Sequence, residues 1–154
     1  MKIELQGVGK RYRTEWILRR VELSLEAGRR YAITGPNGSG KSTLLKMLPG
    51  HLTPSKGKIR FYQGGKQLPV DQVYPHLSFA APYIELIEEF TLWEALQFHQ
   101  RFKPLMSGLD AEALYQRLNF HKARHKPISN FSSGMKQRLK LILAICSDTP
   151  LLLL

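Results

Sequence analysis

The chain has 154 residues, of which 43% are hydrophobic and 23% are charged. This composition predicts a folded domain and excludes an intrinsically disordered chain, which lacks the apolar residues to build a core. Cys146 is the only cysteine, which excludes an internal disulfide and a thiolate metal cage. Lys140 interrupts the longest apolar run, well short of the roughly 20 residues that cross a bilayer. The first residues lack a signal-peptide core, so we expect a cytoplasmic protein.

The net charge of +11 is concentrated near the N-terminus. Residues 1–60 contain 13 Lys and Arg against 4 Asp and Glu, whereas residues 61–154 contain 10 against 8. A basic surface attracts nucleic acid, anionic lipid or a nucleotide polyphosphate, and the sign of the charge does not select among them. An ordinary solvated basic surface explains the excess equally well.

The predicted secondary structure begins with strands and ends with helices. Alternating or continuous apolar residues predict short strands at 2–6, 21–25, 30–34, 58–62, 77–80 and 151–154. Apolar residues at helical spacing predict helices at 41–48, 92–98 and 111–118, and from about 133 to 146. This order of elements predicts an α/β fold.

A glycine-rich segment between the strand predicted at 30–34 and the helix predicted at 41–48 matches G-x-x-x-x-G-K-[ST]. Its glycines allow successive backbone N–H groups to turn inward and form an anion-binding nest. Lys41 would reach the terminal phosphates of a nucleotide, Ser42 would offer its hydroxyl to Mg²⁺, and Thr43 would lie near the α-phosphate. The alternative is a glycine turn that binds nothing. The predicted ATP-binding residues of this loop are Gly35, Pro36, Asn37, Gly38, Ser39, Gly40, Lys41, Ser42 and Thr43.

The sequence GPNGSGKST at 35–43 resembles the phosphate loop of ATP-binding-cassette (ABC) ATPases, and the resemblance extends over essentially the whole chain. It implies a P-loop NTPase core with an N-terminal antiparallel β part and a helical subdomain, incomplete at the C-terminal end. Residues 1–80 would form the β part and the P-loop core, and 81–130 the helical subdomain. Residues 131–154 would form the signature helix and the start of the Walker B strand. Tyr12 resembles the aromatic residue on which these proteins stack adenine, the alternative being an ordinary tyrosine at a strand edge.

A second segment, FSSGMKQR at 131–138, resembles the signature sequence of the same family, which is usually Leu-Ser-Gly-Gly-Gln. Phe131 replaces the leucine, Ser133 the first glycine and Met135 the glutamine. The resemblance implies that this segment completes the ATP site of a second ABC subunit. The alternative is a plain helix cap followed by an amphipathic helix. The implied partner-site residues are Ser132, Ser133, Gly134 and Met135.

The resemblance assigns no catalytic residue to this chain. Pro82 lies at or near the position at which the family usually has a glutamine that senses Mg²⁺ or water, so this role passes to no residue of the chain. The aspartate and glutamate that support Mg²⁺ and polarise the attacking water in the family would follow Leu154. We therefore expect the 154 residues to bind Mg·ATP weakly and to hydrolyse it at a negligible rate. No metal-ligand spacing relates the five histidines, His51, His76, His99, His121 and His125.

The interpretation that these features favour is the ATP-binding subunit of an ABC transporter. The resemblance implies that such a subunit lies on the inner face of the cell membrane, held there by a transmembrane permease. It also implies pairing with a second ABC subunit when ATP binds, and docking of the permease near the apolar segment 83–90. Neither the transported substrate nor the direction of transport is predicted.

Two alternatives from other classes remain open. A soluble ABC ATPase acting on nucleic acid or the ribosome is favoured by the N-terminal charge. The absence of a tandem cassette, a coiled coil and a long basic arm argues against nucleic acid as a partner. A regulatory module that binds ATP without hydrolysing it is compatible with the altered signature and with Pro82.

Overall fold

The computed structural model describes residues 1–120 and 122–154 of the chain. These residues form two compact units, Met1–Leu77 and Ser78–Leu154. His121, one of the five histidines considered above, lies outside the described residues.

The first unit is built on a four-stranded antiparallel sheet with the strand order β2-β1-β3-β4. Ile3 and Leu5 of β1 alternate with more exposed residues, as the sequence predicts, and are almost completely buried. Val8, which follows a shift in the register of β1, and Phe61 of β3 are buried as well. Two of the predicted strands, at 2–6 and 21–25, belong to longer strands that form one hairpin. The strands are β1 (Lys2–Tyr12), β2 (Glu15–Leu25), β3 (Lys56–Gln63) and β4 (Lys66–Leu68).

Helix α1 (Lys41–Met47) is the helix of the first unit. It begins directly after the glycine-rich loop, and its Leu44 and Met47 are buried. Leu48 and Pro49, which follow it, are buried as well. The prediction of a helix at 41–48 is therefore confirmed, and its apolar residues anchor the loop that precedes it.

The second unit is mainly helical, with α2 (Leu92–Phe102), α3 (Ala111–Leu118) and α4 (Ser133–Ile145). Each helix is preceded by a capping residue whose side chain accepts a hydrogen bond from the backbone N–H three residues later. The capping residues are Thr91, Asp110 and Ser132. Their apolar faces share one core, to which Leu96, Leu114, Leu139 and their neighbours contribute. Strands β5 (Leu77–Phe79) and β6 (Leu151–Leu153) form a two-stranded sheet.

Two strand predictions require correction. Residues 30–34 form no strand, and Tyr31 and Ile33 are 48% and 40% exposed. A strand exists only as part of a hydrogen-bonded ladder, and within the described residues no partner pairs with this segment. The run at 151–154 does form a strand, but only Leu153 in it is buried. A continuous apolar run predicts burial on both faces, which this two-stranded sheet does not provide.

No helix within residues 1–120 and 122–154 combines the length and apolar character needed to cross a membrane. The fold is the mixed α/β arrangement that the resemblance implied. Its proposed division into three segments, 1–80, 81–130 and 131–154, stays a prediction.

Candidate functional site

The glycine-rich loop at 35–40 is solvent-exposed and leads directly into α1. Gly35, Gly38 and Gly40 have φ angles of 146°, 82° and 89°, in the region that side chains disfavour. One internal hydrogen bond, from the Ser39 N–H to the Pro36 carbonyl at 3.3 Å, closes the loop. The glycines thus permit a backbone path that residues with a Cβ would adopt only under strain.

Lys41 folds back over this loop. Its Nζ donates hydrogen bonds to the carbonyl oxygens of Gly35 and Pro36 at 2.8 and 2.7 Å. Both acceptors are neutral, so the ammonium charge faces no carboxylate there. An anionic ligand is a stronger partner for that charge than a neutral carbonyl.

Several donors around Lys41 are also available to a ligand. Within the described residues, no acceptor binds the backbone N–H groups of Lys41, Ser42 or Thr43. The Ser42 side chain is exposed, and its hydroxyl contacts no described polar group. These donors fit the oxygen atoms of a phosphate chain, and the Ser42 hydroxyl is an oxygen atom, the ligand type that Mg²⁺ takes.

The end of the loop rests on β2. A Cβ added to Gly40 would lie 2.8 Å from Leu18 Cδ2 and 3.1 Å from Ile17 Cγ2. The loop and the β1–β2 hairpin therefore touch at Gly40, because only a glycine leaves room for both. Any larger residue would displace the loop from the hairpin.

Tyr12 lies at the end of β1 in the same hairpin and pairs with Glu15. Its ring is 47% exposed, and Lys10 Nζ lies 5.4 Å from the ring centroid. An exposed aromatic face beside a cation is compatible with stacking of a nucleotide base. The adenine-binding role of Tyr12 stays a prediction.

The signature segment lies in the second unit, at the start of α4. Ser132 Oγ accepts the Met135 N–H at 3.2 Å, so this serine caps the helix. Ser133 and Gly134 are exposed, whereas the Met135 side chain is half-buried against the helical core. The partner-site role of these four residues stays a prediction, and the capping geometry is also that of an ordinary helix start.

Basic residues of α4 make contacts that the sequence did not reveal. Lys136 Nζ lies 2.5 Å from Glu88 Oε1, and Lys140 Nζ donates to the Pro82 carbonyl at 3.1 Å. Arg138 Nη2 donates to the Leu118 carbonyl at 2.7 Å. Lys140 thus connects α4 to the backbone at Pro82.

One histidine, His99, lies on α2 and is half-buried. His99 Nε2 lies 2.8 Å from Ser147 Oγ, and burial together with the nearby Lys103 lowers the pKa of His99 below its usual range. Burial also lowers the pKa of Lys103 to about 8. The part of the chain that the structure describes contains no group of three potential metal-ligating side chains.

These features, a phosphate loop with its lysine and a second glycine-containing helix start, define a P-loop NTPase of the ABC ATPase type. The family described as ABC transporter matches residues 18–154. The chain therefore belongs to the ABC transporter family, as its resemblance implied.

Several curated relatives are transporter ATP-binding proteins. The chain is 30% identical over 155 residues to the Nod factor export ATP-binding protein I of Rhizobium johnstonii, covering 99% of this chain and 50% of that protein. It is 27% identical to the bacitracin transport ATP-binding protein BcrA of Enterococcus faecalis, covering 99% and 49%. It is 29% identical to the cytochrome c biogenesis ATP-binding export protein CcmA of Rhizobium meliloti, covering 100% and 75%. The chain spans about half the length of the first two of these relatives.

Solved structures show the same fold. A dimeric, post-hydrolysis ATP-binding cassette with ADP and Pi bound matches with a TM-score of 0.76 and 22% identity, over 98% of this chain and 72% of that one. A putative ABC transporter ATP-binding protein from Pyrococcus furiosus matches with a TM-score of 0.74 and 22% identity, over 97% and 72%. At these identities the likeness establishes the fold alone.

Proposed function

We propose that the chain is the nucleotide-binding part of an ABC transporter subunit and binds Mg·ATP at residues 35–43. The observation that carries this proposal is the exposed loop with Lys41 held over it by two neutral carbonyls. A triphosphate would take the ammonium and the free N–H groups at the start of α1 as partners, and Ser42 would hold Mg²⁺. Tyr12 would stack on the adenine.

The signature segment would act on a second subunit. Ser132, Ser133, Gly134 and Met135 would complete the ATP site of the partner, so that ATP holds two ABC subunits together. The exposed Ser133 and Gly134 support this assignment. A solved structure of the same fold is a dimer with ADP and Pi bound, and pairing of two subunits is proposed here on that pattern.

The permease would contact the segment that follows Pro82. Tyr83 and Ile87 are exposed apolar residues there, 37% and 44% accessible. Lys136 forms an ion pair with Glu88, the residue that follows Ile87. Movement of this segment would reach the signature helix through that ion pair and through Lys140. This contact would place the subunit at the inner face of the membrane. When the subunit is expressed together with its permease, Ile87→Asp is expected to weaken their co-purification.

The 154 residues themselves would bind nucleotide without turning it over. Phosphoryl transfer requires a group that positions the attacking water and support for the metal ion. Asp148 is the only carboxylate after Glu112 in the sequence, and it precedes β6. Coupling of hydrolysis to transport would therefore need residues that this sequence does not contain.

Calorimetric titration with ATP and Mg²⁺ tests the proposal. We expect saturable binding, weakened at least about tenfold in Lys41→Ala, because a charge-assisted contact to phosphate is lost. Lys66→Ala is the matched control, since it removes the same charge from an exposed residue at the start of β4. Absence of binding at millimolar nucleotide, in folded protein, would contradict the assignment.

Measurement of phosphate release by the same protein tests the proposal that the 154 residues bind ATP without hydrolysing it. We expect release at the rate of a buffer blank with wild type and with Lys41→Ala. Steady turnover by wild type that Lys41→Ala abolishes would show that these residues suffice for catalysis.

A further inference from the structure

A groove outside the phosphate loop is lined almost entirely by cationic and glycine residues. This groove, the Trp16 groove, lies in the first unit and has a volume of about 510 Å³. This volume falls within the range of small-molecule sites, roughly 300–1,000 Å³. The lining residues are Gly7, Gly9, Trp16, Arg19, Arg20 and Lys56.

An irregularity of β1 opens the groove. The register of β1 shifts between Leu5 and Val8 against β2, and between Gln6 and Gly9 against β3. At the shift, Gly7 has a φ of 59° and its N–H donates to Glu22 Oε1 at 2.6 Å. A bulge of this kind bends the strand away from its neighbours, and glycines leave the resulting space unfilled.

The cations around the groove lack acidic partners. No carboxylate of a described residue lies within 4.0 Å of a cationic nitrogen of Arg19, Arg20 or Lys56. Glu22 is the nearby acid, and its Oε1 accepts the Gly7 N–H. Like charges held together without counter-charges repel one another, so an anion bound among them relieves that repulsion.

The indole ring of Trp16 lies close to cationic side chains. Lys56 Nζ lies 5.7 Å from its ring centroid, and the guanidinium carbon of Arg11 lies 5.6 Å from it. A Cβ added to Gly9 would come within 2.8 Å of Trp16 Cζ3, so the glycine lets the ring lie against β1. The half-buried ring is therefore held against β1, and long, flexible charged side chains lie beside it.

We propose that the Trp16 groove binds a ligand that carries several phosphate charges, at a site separate from the phosphate loop. Two adjacent arginines supply the planar donor forks that match phosphate oxygens, and Lys56 adds a third positive charge. The proposal shares no residue with the ATP site and does not depend on the proposed function. The phosphates would belong to a soluble polyphosphate compound or to the headgroup of an anionic lipid.

The test uses Trp16 as its own reporter. The chain contains two tryptophans, so Trp93→Phe leaves Trp16 as the only one, and Lys41→Ala in the same protein disables the phosphate loop. Titration of this double variant with inorganic tripolyphosphate in EDTA is expected to give a saturable change in Trp16 fluorescence. Calorimetry on the same protein with Trp93 restored checks that the change reports binding.

Charge variants localise the binding. Arg19→Gln with Arg20→Asn, where asparagine suits the φ of 48° at position 20, is expected to weaken binding by about tenfold. The matched control, Arg29→Gln with Lys66→Gln, removes two exposed charges of the same unit outside the groove and is expected to change binding less than about twofold. Equal losses in both pairs would mean unspecific attraction to a basic surface and would overturn the proposal.

Vesicles distinguish the two sources of phosphate. A lipid headgroup would be supported if the protein co-sediments with phosphatidic acid vesicles but not with phosphatidylcholine vesicles. Arg19→Gln/Arg20→Asn should then abolish this co-sedimentation. Tripolyphosphate binding without vesicle binding would support a soluble ligand. Absence of both, or binding of a single-stranded oligonucleotide without binding of tripolyphosphate, would overturn the proposal.

Discussion

Among the glycines of the first unit, Gly57 has the least space for a side chain. A Cβ at this position would come within 2.4 Å of the Gln6 and Gly7 backbone, and the φ of Gly57 is 78°. The close approach allows β3 to pair with β1 on both sides of the β1 bulge. Because the neighbouring atoms are backbone, they cannot rotate away as the end of a side chain would.

Gly57→Ala is therefore expected to destabilise the protein more than a glycine substitution in open space. Gly64→Ala is the matched control, since Gly64 also has a positive φ, 56°, but no atom lies within 4 Å of the position that its methyl group would take. The control bears only the strain of the left-handed backbone, about 1–2 kcal/mol, whereas Gly57→Ala adds overpacking of about 1–3 kcal/mol. Urea denaturation of both variants measures the difference, and equal losses would contradict the steric argument.

At the scale of the element, the start of α2 shows how a few side chains define a helix end. Thr91 Oγ1 accepts the Glu94 N–H at 3.3 Å, and Glu94 Oε2 accepts the Thr91 N–H at 2.8 Å. Each side chain thus satisfies a backbone donor that the first turn leaves free. The hydrogen bonds from Thr91 lower the pKa of the Glu94 carboxyl below its usual range.

This capping box predicts a pH dependence. Since the folded state lowers the pKa of Glu94, its stabilising contribution is present above the ordinary carboxyl pKa and is lost as the pH falls through the folded value. Glu94→Gln should therefore be less stable than wild type at about pH 7, and the two should converge below roughly pH 4. Thermal melts at several pH values measure this, with Glu89→Gln as a control that removes an exposed charge outside the box. A difference that persists unchanged in acid would contradict the prediction.

The sequence predicts elements whose signals are local and misses those that depend on a distant partner. The phosphate loop and α1 were predicted because the motif and the helix that follows are contiguous. Residues 30–34 were wrongly predicted as a strand, since alternation does not reveal whether another strand pairs with them. The contact of Lys136 with Glu88 joins residues 48 positions apart, and no spacing rule relates them. The Trp16 groove likewise depends on a register shift in β1 that apolar patterning does not reveal.

At the scale of the whole molecule, a large positive charge coexists with exposed aromatic residues. The net charge is +11. On α2, Phe98 and Phe102 are 41% and 59% exposed, and their ring centroids lie 4.7 Å apart. Phe90 extends the row, 5.2 Å from Phe98. Charge repulsion keeps copies of the chain apart, whereas contact between apolar patches favours their association.

The balance between these two effects predicts self-association that increases with salt. The screening length falls from about 10 Å at 0.1 M salt to about 3 Å at 1 M, so repulsion weakens while apolar attraction does not. Sedimentation velocity should therefore show a larger species as NaCl is raised over that range. Phe98→Ser/Phe102→Ser should abolish the increase, because it removes the exposed aromatic pair.

The matched control replaces two other exposed apolar residues that lie apart from each other in the sequence. Val70 and Leu154 are 56% and 60% exposed, so Val70→Ser/Leu154→Ser removes comparable apolar exposure without touching the aromatic row. This variant should retain the salt-dependent increase. Association that instead decreases with salt would mean that ion pairs hold the copies together, because screening weakens ion pairs and leaves apolar contacts intact. The aromatic row would then have no part in it.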